Sequence, residues 1–136
     1  MNERLTLADQ FLADAQDLLE RGRLRSALSR AYYAIYHLCV VLFEKHGLKP
    51  SHFIGKGNRR ALIWAHNIIT RQFFHEFCDK RKLFAWERGV TIRRLYRNRL
   101  TADYEPEATI TTEYARNTLQ VAQGFFGELK KAVTEQ

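Results

Sequence analysis

The sequence predicts an all-α protein folded as an antiparallel up-and-down four/five-helix bundle, with four main helices and one shorter or broken helix. Apolar residues recur at steps of three and four, and no stretch alternates apolar with polar residues as a half-buried strand does. Only two prolines and seven glycines occur in 136 residues, so few positions interrupt a helix. A chain of this length fits one compact domain, and we expect a single helical domain over residues 1–136.

The first two helices are bounded by capping signals. Thr6 is a suitable N-cap for the first helix, Asn2 would serve for an earlier start, and Gly22 ends it. A second helix is expected from about Leu24 to His46, with a glycine directly after it. Its apolar face and its small residues predict a buried helix that another helix can approach closely.

A loop and a third helix follow. Residues 47–58 are expected to form a plain connection, because their glycines lack the spacing of a phosphate-binding loop. The third helix is expected over residues 59–77, followed by a charged connection at residues 79–82. Its inward side chains are predicted to be Leu62, Ile63, Ile69, Phe73 and Phe77.

The fourth helix is expected to start near Leu83 or Ala85 and to end before Pro106, since the residue before a proline is disfavoured in a helix. Gly89 weakens its first turns and is an alternative start.

The fifth helix is expected to run to about Val133, and Thr111 or Thr112 can cap it. Its apolar side chains are predicted to be Tyr114, Leu119, Phe125, Phe126 and Leu129.

Positive charge is concentrated in the middle of the chain. The formal net charge is +7, and residues 59–99 contain eleven Lys or Arg against three Asp or Glu, a balance of +8. The balance is +2 for residues 1–58 and −3 for residues 100–136. Such a region attracts an anionic partner, although a basic surface that only keeps the protein soluble has the same composition.

Several functional classes find no support in the sequence. The apolar run from Ala31 to Phe43 is too short to cross a bilayer and is typical of a buried helix, so no membrane association is expected. Cys39 and Cys78 suit a reducing compartment, and we expect a cytoplasmic protein without cofactors. No metal site is expected, because the histidines show no paired ligand spacing: His37, His46, His52, His66 and His75.

The fourth helix favours nucleic-acid binding. Tyr96 and Tyr104 are interleaved with its arginines and could stack on bases, and arginine binds phosphate through a bidentate fork. The alternative is that Arg97 pairs internally with Asp103 while Arg94 and Arg99 are solvated. The candidate nucleic-acid-binding residues are Arg93, Arg94, Arg97 and Arg99, with Arg59, Arg60 and Lys56 upstream.

Two motifs carry a family resemblance. The chain reads Arg30-Ala-Tyr-Tyr-Ala-Ile-Tyr-His37 on the second helix and Arg97, then Ala102-Asp103-Tyr104, on the fourth. Together they resemble the HEPN domain, in its small stand-alone bacterial and archaeal branch, over nearly the whole chain. The resemblance implies an up-and-down helical bundle and a homodimer. Many members cleave RNA without metal or pair with a minimal nucleotidyltransferase in toxin–antitoxin systems.

The catalytic version of the motif is matched only in part. It reads arginine, four residues, histidine, one residue, tyrosine, so the resemblance assigns Arg97 and Tyr104 as catalytic candidates. The histidine position is Ala102, and alanine cannot transfer a proton. His37 is the candidate to replace it, with a structural, hydrogen-bonded role as the alternative.

The same motifs predict a polar network between the second and fourth helices. We expect Arg30, Tyr33 and His37 to face the fourth-helix motif, with Asp103 neutralising Arg30, Arg97 or both. Losing one partner of a buried ion pair costs about 3–5 kcal/mol, so replacing Asp103 should destabilise the protein strongly.

Three functions remain open from the sequence. The first is a non-catalytic or weakly catalytic module that binds RNA, a nucleotide or a partner protein, including a nucleotidyltransferase that modifies Tyr104. The second is a divergent metal-independent endoribonuclease toxin that uses Arg97 without the usual histidine. The third is a purely structural interaction domain.

Overall fold

Five α-helices make up most of the chain that the structure describes. The computed structural model describes residues 2–53 and 63–135, and no β-strand occurs in these ranges. A 3₁₀ turn at Pro50–Phe53 follows the second helix, and π-helical turns at Phe74–Lys80 extend the third. The predicted all-α architecture is confirmed. In chain order the helices are α1 (Glu3–Glu20), α2 (Leu24–Lys45), α3 (His66–Phe73), α4 (Trp86–Tyr104) and α5 (Thr112–Thr134).

Local hydrogen bonds set the start of α1 and its turn into α2. Oδ1 of Asn2 accepts a hydrogen bond from the backbone N–H of Arg4 at 2.9 Å, so the helix begins at the earlier predicted position and not after Thr6. Gly22 has φ +73°, and the N–H of the next residue donates to the carbonyl of Leu18 at 2.9 Å. This turn reverses the chain, so that α2 returns along α1.

α2 is the central helix and packs against each of the other four α-helices. By length and composition it is long and apolar enough to cross a membrane. However, 67% of its most apolar 18-residue stretch is buried inside the bundle, as in a core helix. Its buried side chains are Ala27, Leu28, Ala31, Tyr32, Ala34, Ile35, Leu38, Cys39, Val40, Val41, Leu42 and Phe43.

The third helix begins later than the sequence predicts. It starts at His66, after Ala65 in an extended conformation. Ile63 precedes the helix and is 75% exposed, so its predicted inward position is wrong. Ile69, Phe73 and Phe77 are buried as predicted. Leu62 and residues 54–58 of the predicted loop lie outside the described residues.

α4 and α5 begin close to the positions that the sequence predicts. Ala85 is extended directly before α4, and Oγ1 of Thr111 accepts a hydrogen bond from the N–H of Tyr114 at 3.1 Å at the start of α5. Gly89 lies inside α4 and does not start it; a Cβ there would lie 2.8 Å from the ring of Phe74. Gly89 therefore lets the π-helical turns approach α4 closely.

Candidate functional site

Arg99 is the α4 arginine that lies between α4 and α2. Its Nη2 donates a hydrogen bond to the hydroxyl oxygen of Tyr33 at 2.7 Å. Its Nε lies 3.1 Å from Oδ2 of Asp103, with 12% of the Arg99 side chain and 30% of the Asp103 side chain exposed. The Nε–H has no well-directed acceptor among the described residues, so this contact is an ion pair by distance and not an aligned hydrogen bond.

Two tyrosine rings flank the guanidinium of Arg99. Its Cζ lies 5.2 Å from the ring centre of Tyr33 and 5.5 Å from that of Tyr104, within cation–π distance. Burial by itself lowers the pKa of Arg99, but Tyr33, Tyr104 and Asp103 raise it by more, and the net shift is upward. Arg99 is therefore a fixed, permanently charged group at the α2–α4 interface.

The predicted pairing of Arg97 with Asp103 is wrong. Six residues span about 1.7 turns of an α-helix, which places the two side chains on different sides of α4. Arg97 is exposed. Asp103 instead pairs with Arg99 one turn away and accepts a hydrogen bond from Oγ of Ser29 on α2 at 3.2 Å. The connection between α2 and α4 therefore exists as expected, but through other residues.

Two α2 residues that were expected to face α4 contact α1. The guanidinium of Arg30 lies 5.0 Å from the ring centre of Phe11, and Arg30 is exposed, so its predicted place in the polar network is wrong. His37 lies 2.9 Å from Nη1 of Arg4 through Nδ1, and its ring centre is 5.5 Å from that of Phe11. Burial, then the charges of Arg4 and of nearby His66, lower the pKa of His37 to about 4.

Ala102 faces the core and not the exposed side of α4. Its side chain is buried against Leu28 of α2 and Ala115 of α5. If Arg99 is taken as the arginine of the family motif, the position of the motif histidine is occupied by Tyr104. The Tyr104 side chain is 67% exposed. A tyrosine hydroxyl can donate a hydrogen bond, but it does not serve as a base near neutral pH as imidazole does.

Arg25 on α2 caps the C-terminal end of α4, a role that the sequence did not indicate. Its terminal nitrogens donate hydrogen bonds of 2.6–3.3 Å to five backbone carbonyls. An arginine satisfies unpaired carbonyls at a helix end and offsets their partial negative charge. The five carbonyls are those of Thr101, Ala102, Glu105, Pro106 and Ala108.

His66 is the histidine that lies beside the Arg99 site, and sequence reasoning missed it. Its Nδ1 lies 2.8 Å from the hydroxyl of Tyr32, and its ring stacks on Tyr96 at 5.6 Å with an interplanar angle of 17°. Burial, then the charge of Arg99, lowers the pKa of His66, so the ring is neutral near neutral pH. Because α3 is remote from α4 in sequence, no local spacing could have indicated this contact.

The other candidate binding residues divide by exposure. Arg93, Arg94 and Arg97 are exposed on α4. Tyr96 is half-buried, and its stacking on His66 occupies one ring face, which leaves it less suited to the base stacking that the sequence predicted. The candidates that lie outside the described residues are Arg59, Arg60 and Lys56.

Metal ligands are not grouped in the described part of the chain. In residues 2–53 and 63–135, no three His, Cys, Asp or Glu side chains lie together as a metal site requires. Cys39 is buried and burial raises its pKa, which makes it an inert thiol.

The fold and the site define a small all-α bundle with an arginine–tyrosine site between its second and fourth helices. The model of the HEPN domain family matches residues 1–132, and the chain belongs to this family. The resemblance drawn from the two helical motifs is thereby confirmed.

Two relatives match over most of their length. A protein of Thermotoga maritima named "UPF0332 protein" is 27% identical over 128 residues, which cover 94% of this chain and 86% of the relative. A protein of Methanocaldococcus jannaschii named "Putative toxin MJ0605" is 27% identical over 131 residues, 96% of this chain and 87% of the relative.

Proposed function

We propose that this protein is an RNA-binding HEPN module that cleaves RNA weakly or not at all and that acts in a toxin–antitoxin or defence-type system. The observation that carries the proposal is the division of α4 into two sides. Arg99 is fixed against α2, whereas Arg93, Arg94 and Arg97 are exposed and form no ion pair with any described residue. Exposed arginines without acidic partners are available to phosphates.

The weak or absent cleavage follows from the groups at the site. RNA cleavage through the 2′-OH needs a base for that hydroxyl and an acid for the leaving oxygen. Ala102 supplies neither, and its side chain is turned into the core. Arg99 can stabilise negative charge, but charge stabilisation without proton transfer does not complete the reaction.

The binding test is fluorescence anisotropy with labelled RNA at several salt concentrations. Binding should weaken steeply with salt, and replacing Arg93, Arg94 and Arg97 together with alanine should weaken it and reduce the slope of log K against log salt by about 2 for a single strand. A charge-matched control replaces three exposed arginines elsewhere: Arg21, Arg23 and Arg116. Equal losses in both triple variants would show that only net charge matters and would contradict an α4 site.

The toxin–antitoxin context rests on the name of the M. jannaschii relative and on the exposure of Tyr104. In that context we propose a homodimer and a nucleotidyltransferase partner that modifies the Tyr104 hydroxyl. Co-expression with such a partner should add a nucleotide mass to the wild type and not to Tyr104→Phe. The same added mass on the wild type and on Tyr104→Phe would place the modification at another residue.

His66 favours a second candidate function, a divergent metal-independent ribonuclease. A neutral imidazole beside a fixed guanidinium supplies a base for the 2′-OH and a group that stabilises phosphate charge, and the acid for the leaving oxygen would come from another group. If the protein cleaves RNA in the presence of a chelator, His66→Gln and Arg99→Ala should both abolish the activity, whereas His37→Gln should not. Loss of cleavage in His37→Gln alone would reassign the base to His37.

A further inference from the structure

A groove between α4 and α5 is not used by the site described above. It encloses about 210 Å³, and two side-chain contacts join the same two helices. Within the groove the hydroxyl of Tyr114 donates to Oδ1 of Asn98 at 2.8 Å, and outside its lining Arg88 pairs with Glu128, with Nε 3.1 Å from Oε1. The lining residues are Thr91, Arg94, Leu95, Asn98, Tyr114, Asn117, Thr118 and Val121.

The lining combines an apolar wall with uncharged polar groups. Tyr114 and Val121 are 42% and 45% exposed, whereas the other apolar residues predicted for the fifth helix are buried. The exposed ring of Tyr114 offers a flat surface to a planar group, and Val121, two turns further along α5, extends the apolar wall. The amides of Asn98 and Asn117 carry donors and acceptors that can read the edge of such a group.

Arg94 supplies the one charge among the residues that line the groove. It is exposed, forms no ion pair with any described residue, and lies on the same helix as Arg93 and Arg97. A ligand that suits this groove therefore has a neutral, planar part that lies inside it and an anionic part that lies beside Arg94. The volume is smaller than the roughly 300–1,000 Å³ of pockets for drug-sized ligands and fits a smaller group.

We infer that the groove takes one unpaired nucleobase, with its flanking phosphate on Arg94. This inference rests on the proposed RNA-binding function and names the form of RNA that is bound: a single strand or loop whose base can leave the stack. Single-stranded RNA is commonly recognised by stacking of splayed bases on aromatic side chains and by hydrogen bonds to base edges. A free nucleotide offers the same chemistry, and the experiment separates the two sources.

The test compares a short single-stranded RNA with an abasic ribose-phosphate chain of the same length. Val121→Trp fills the groove from an exposed position, and Asn117→Ala removes an exposed amide, so neither should unfold the protein, as circular dichroism will show. Each variant should bind the RNA at least roughly fivefold more weakly, Val121→Trp by excluding the stacked base and Asn117→Ala by removing a hydrogen bond to its edge, and should bind the abasic chain like the wild type. Asn67→Ala, at an exposed position on α3, is the matched control and should change neither affinity.

The outcomes separate this inference from the proposed function. If the wild type binds RNA and the groove variants bind it equally well, the groove inference is overturned while RNA binding by α4 stands. An equal loss for RNA and for the abasic chain would also overturn the inference, because it would show phosphate contacts only. If no RNA binds, the proposed function fails. NMR shifts at Tyr114 and Asn117 on adding AMP, CMP, GMP or UMP would then support a free-nucleotide site, and their absence would overturn the groove.

Discussion

Nη2 of Arg99 on α4 donates a 2.7 Å hydrogen bond to the hydroxyl of Tyr33 on α2. Residues two apart in an α-helix lie about 200° apart around its axis, so fixing Arg99 against α2 turns Arg97 outward. The contact therefore sets the rotation of α4 and decides which of its arginines reach solvent. The exposed basic surface and the internal site are consequences of the same helix orientation.

Replacing Arg99 with alanine should lower the free energy of unfolding by about 1–3 kcal/mol, because the Tyr33 hydroxyl loses its donor and Asp103 keeps only its hydrogen bond from Ser29. Arg97→Ala, in an exposed position, should change it by less than about 0.5 kcal/mol. Urea denaturation measures both. If Arg97→Ala were the more destabilising change, the assignment of the internal arginine would be reversed.

Asp103→Asn should cost about 1 kcal/mol, which is less than the sequence predicts for a buried ion pair. The Asp103 side chain is 30% exposed and its carboxylate is partly solvated, so the loss resembles that of a surface pair. The same denaturation experiment checks this value. A loss above about 3 kcal/mol would indicate a pair that is buried in solution.

Arg25→Ala should destabilise the protein by about 2–3 kcal/mol, since it removes a charged donor from two carbonyls in the last turn of α4 and three in the segment that follows. Amide hydrogen exchange should also quicken in the last turn of α4, which carries Tyr104. Arg23→Ala, at an exposed neighbouring position, is the control and should behave as wild type. Slow exchange in that turn of Arg25→Ala would mean that the cap is dispensable.

Two glycines should respond in opposite ways to alanine. At Gly89 a Cβ would lie 2.8 Å from the Phe74 ring, so Gly89→Ala should destabilise by about 1–3 kcal/mol through overpacking. At Gly127 in α5 an added Cβ would meet no other side chain or packed helix within 4 Å, and alanine should stabilise by about 0.5–1 kcal/mol through helix propensity. Thermal melts of the two variants test the pair. Similar shifts in both would show that α4 and Phe74 do not approach closely.

Acid should destabilise the fold through His37, whose pKa is lowered from 6.5 to about 4 by burial and by the charge of Arg4. Between these values the unfolded chain binds more protons than the folded chain. The free energy of unfolding should therefore be greatest above about pH 6.5, fall as the pH drops toward 4, and then level off. His37 is half-buried, and solvent screening limits the loss to about 1–2 kcal/mol.

Denaturation curves across that pH range measure the effect. His37→Gln should reduce the acid-induced loss without abolishing it, because the pKa values of His46 and His66 are lowered as well. His75→Gln, at an exposed position, is the control. A profile unchanged by His37→Gln would contradict the assignment.

The fold could be predicted because local patterns determine it. Helical periodicity and capping residues located α1, α2, α4 and α5 to within a few residues. The start of α3 was predicted too early because Ile63 extends the apolar pattern into a non-helical segment.

The site could be predicted only in part. Periodicity does not fix the rotation of a helix whose polar residues surround it, and the spacing of the family motif points to Arg97, whereas Arg99 is the arginine that packs against α2. The contacts of His66 and Arg25 depend on packing between segments far apart in the chain, and no spacing in the sequence encodes them.

The central claim, binding of RNA without efficient cleavage, is tested most directly by recovering the bound RNA. Purified protein is incubated with labelled single-stranded and structured RNA in a chelator, complexes are isolated, and the RNA length is measured. We expect bound RNA of full length, with binding reduced when Arg93, Arg94 and Arg97 are replaced. Shortened RNA from the wild type and intact RNA from Arg99→Ala would contradict the claim and identify a ribonuclease.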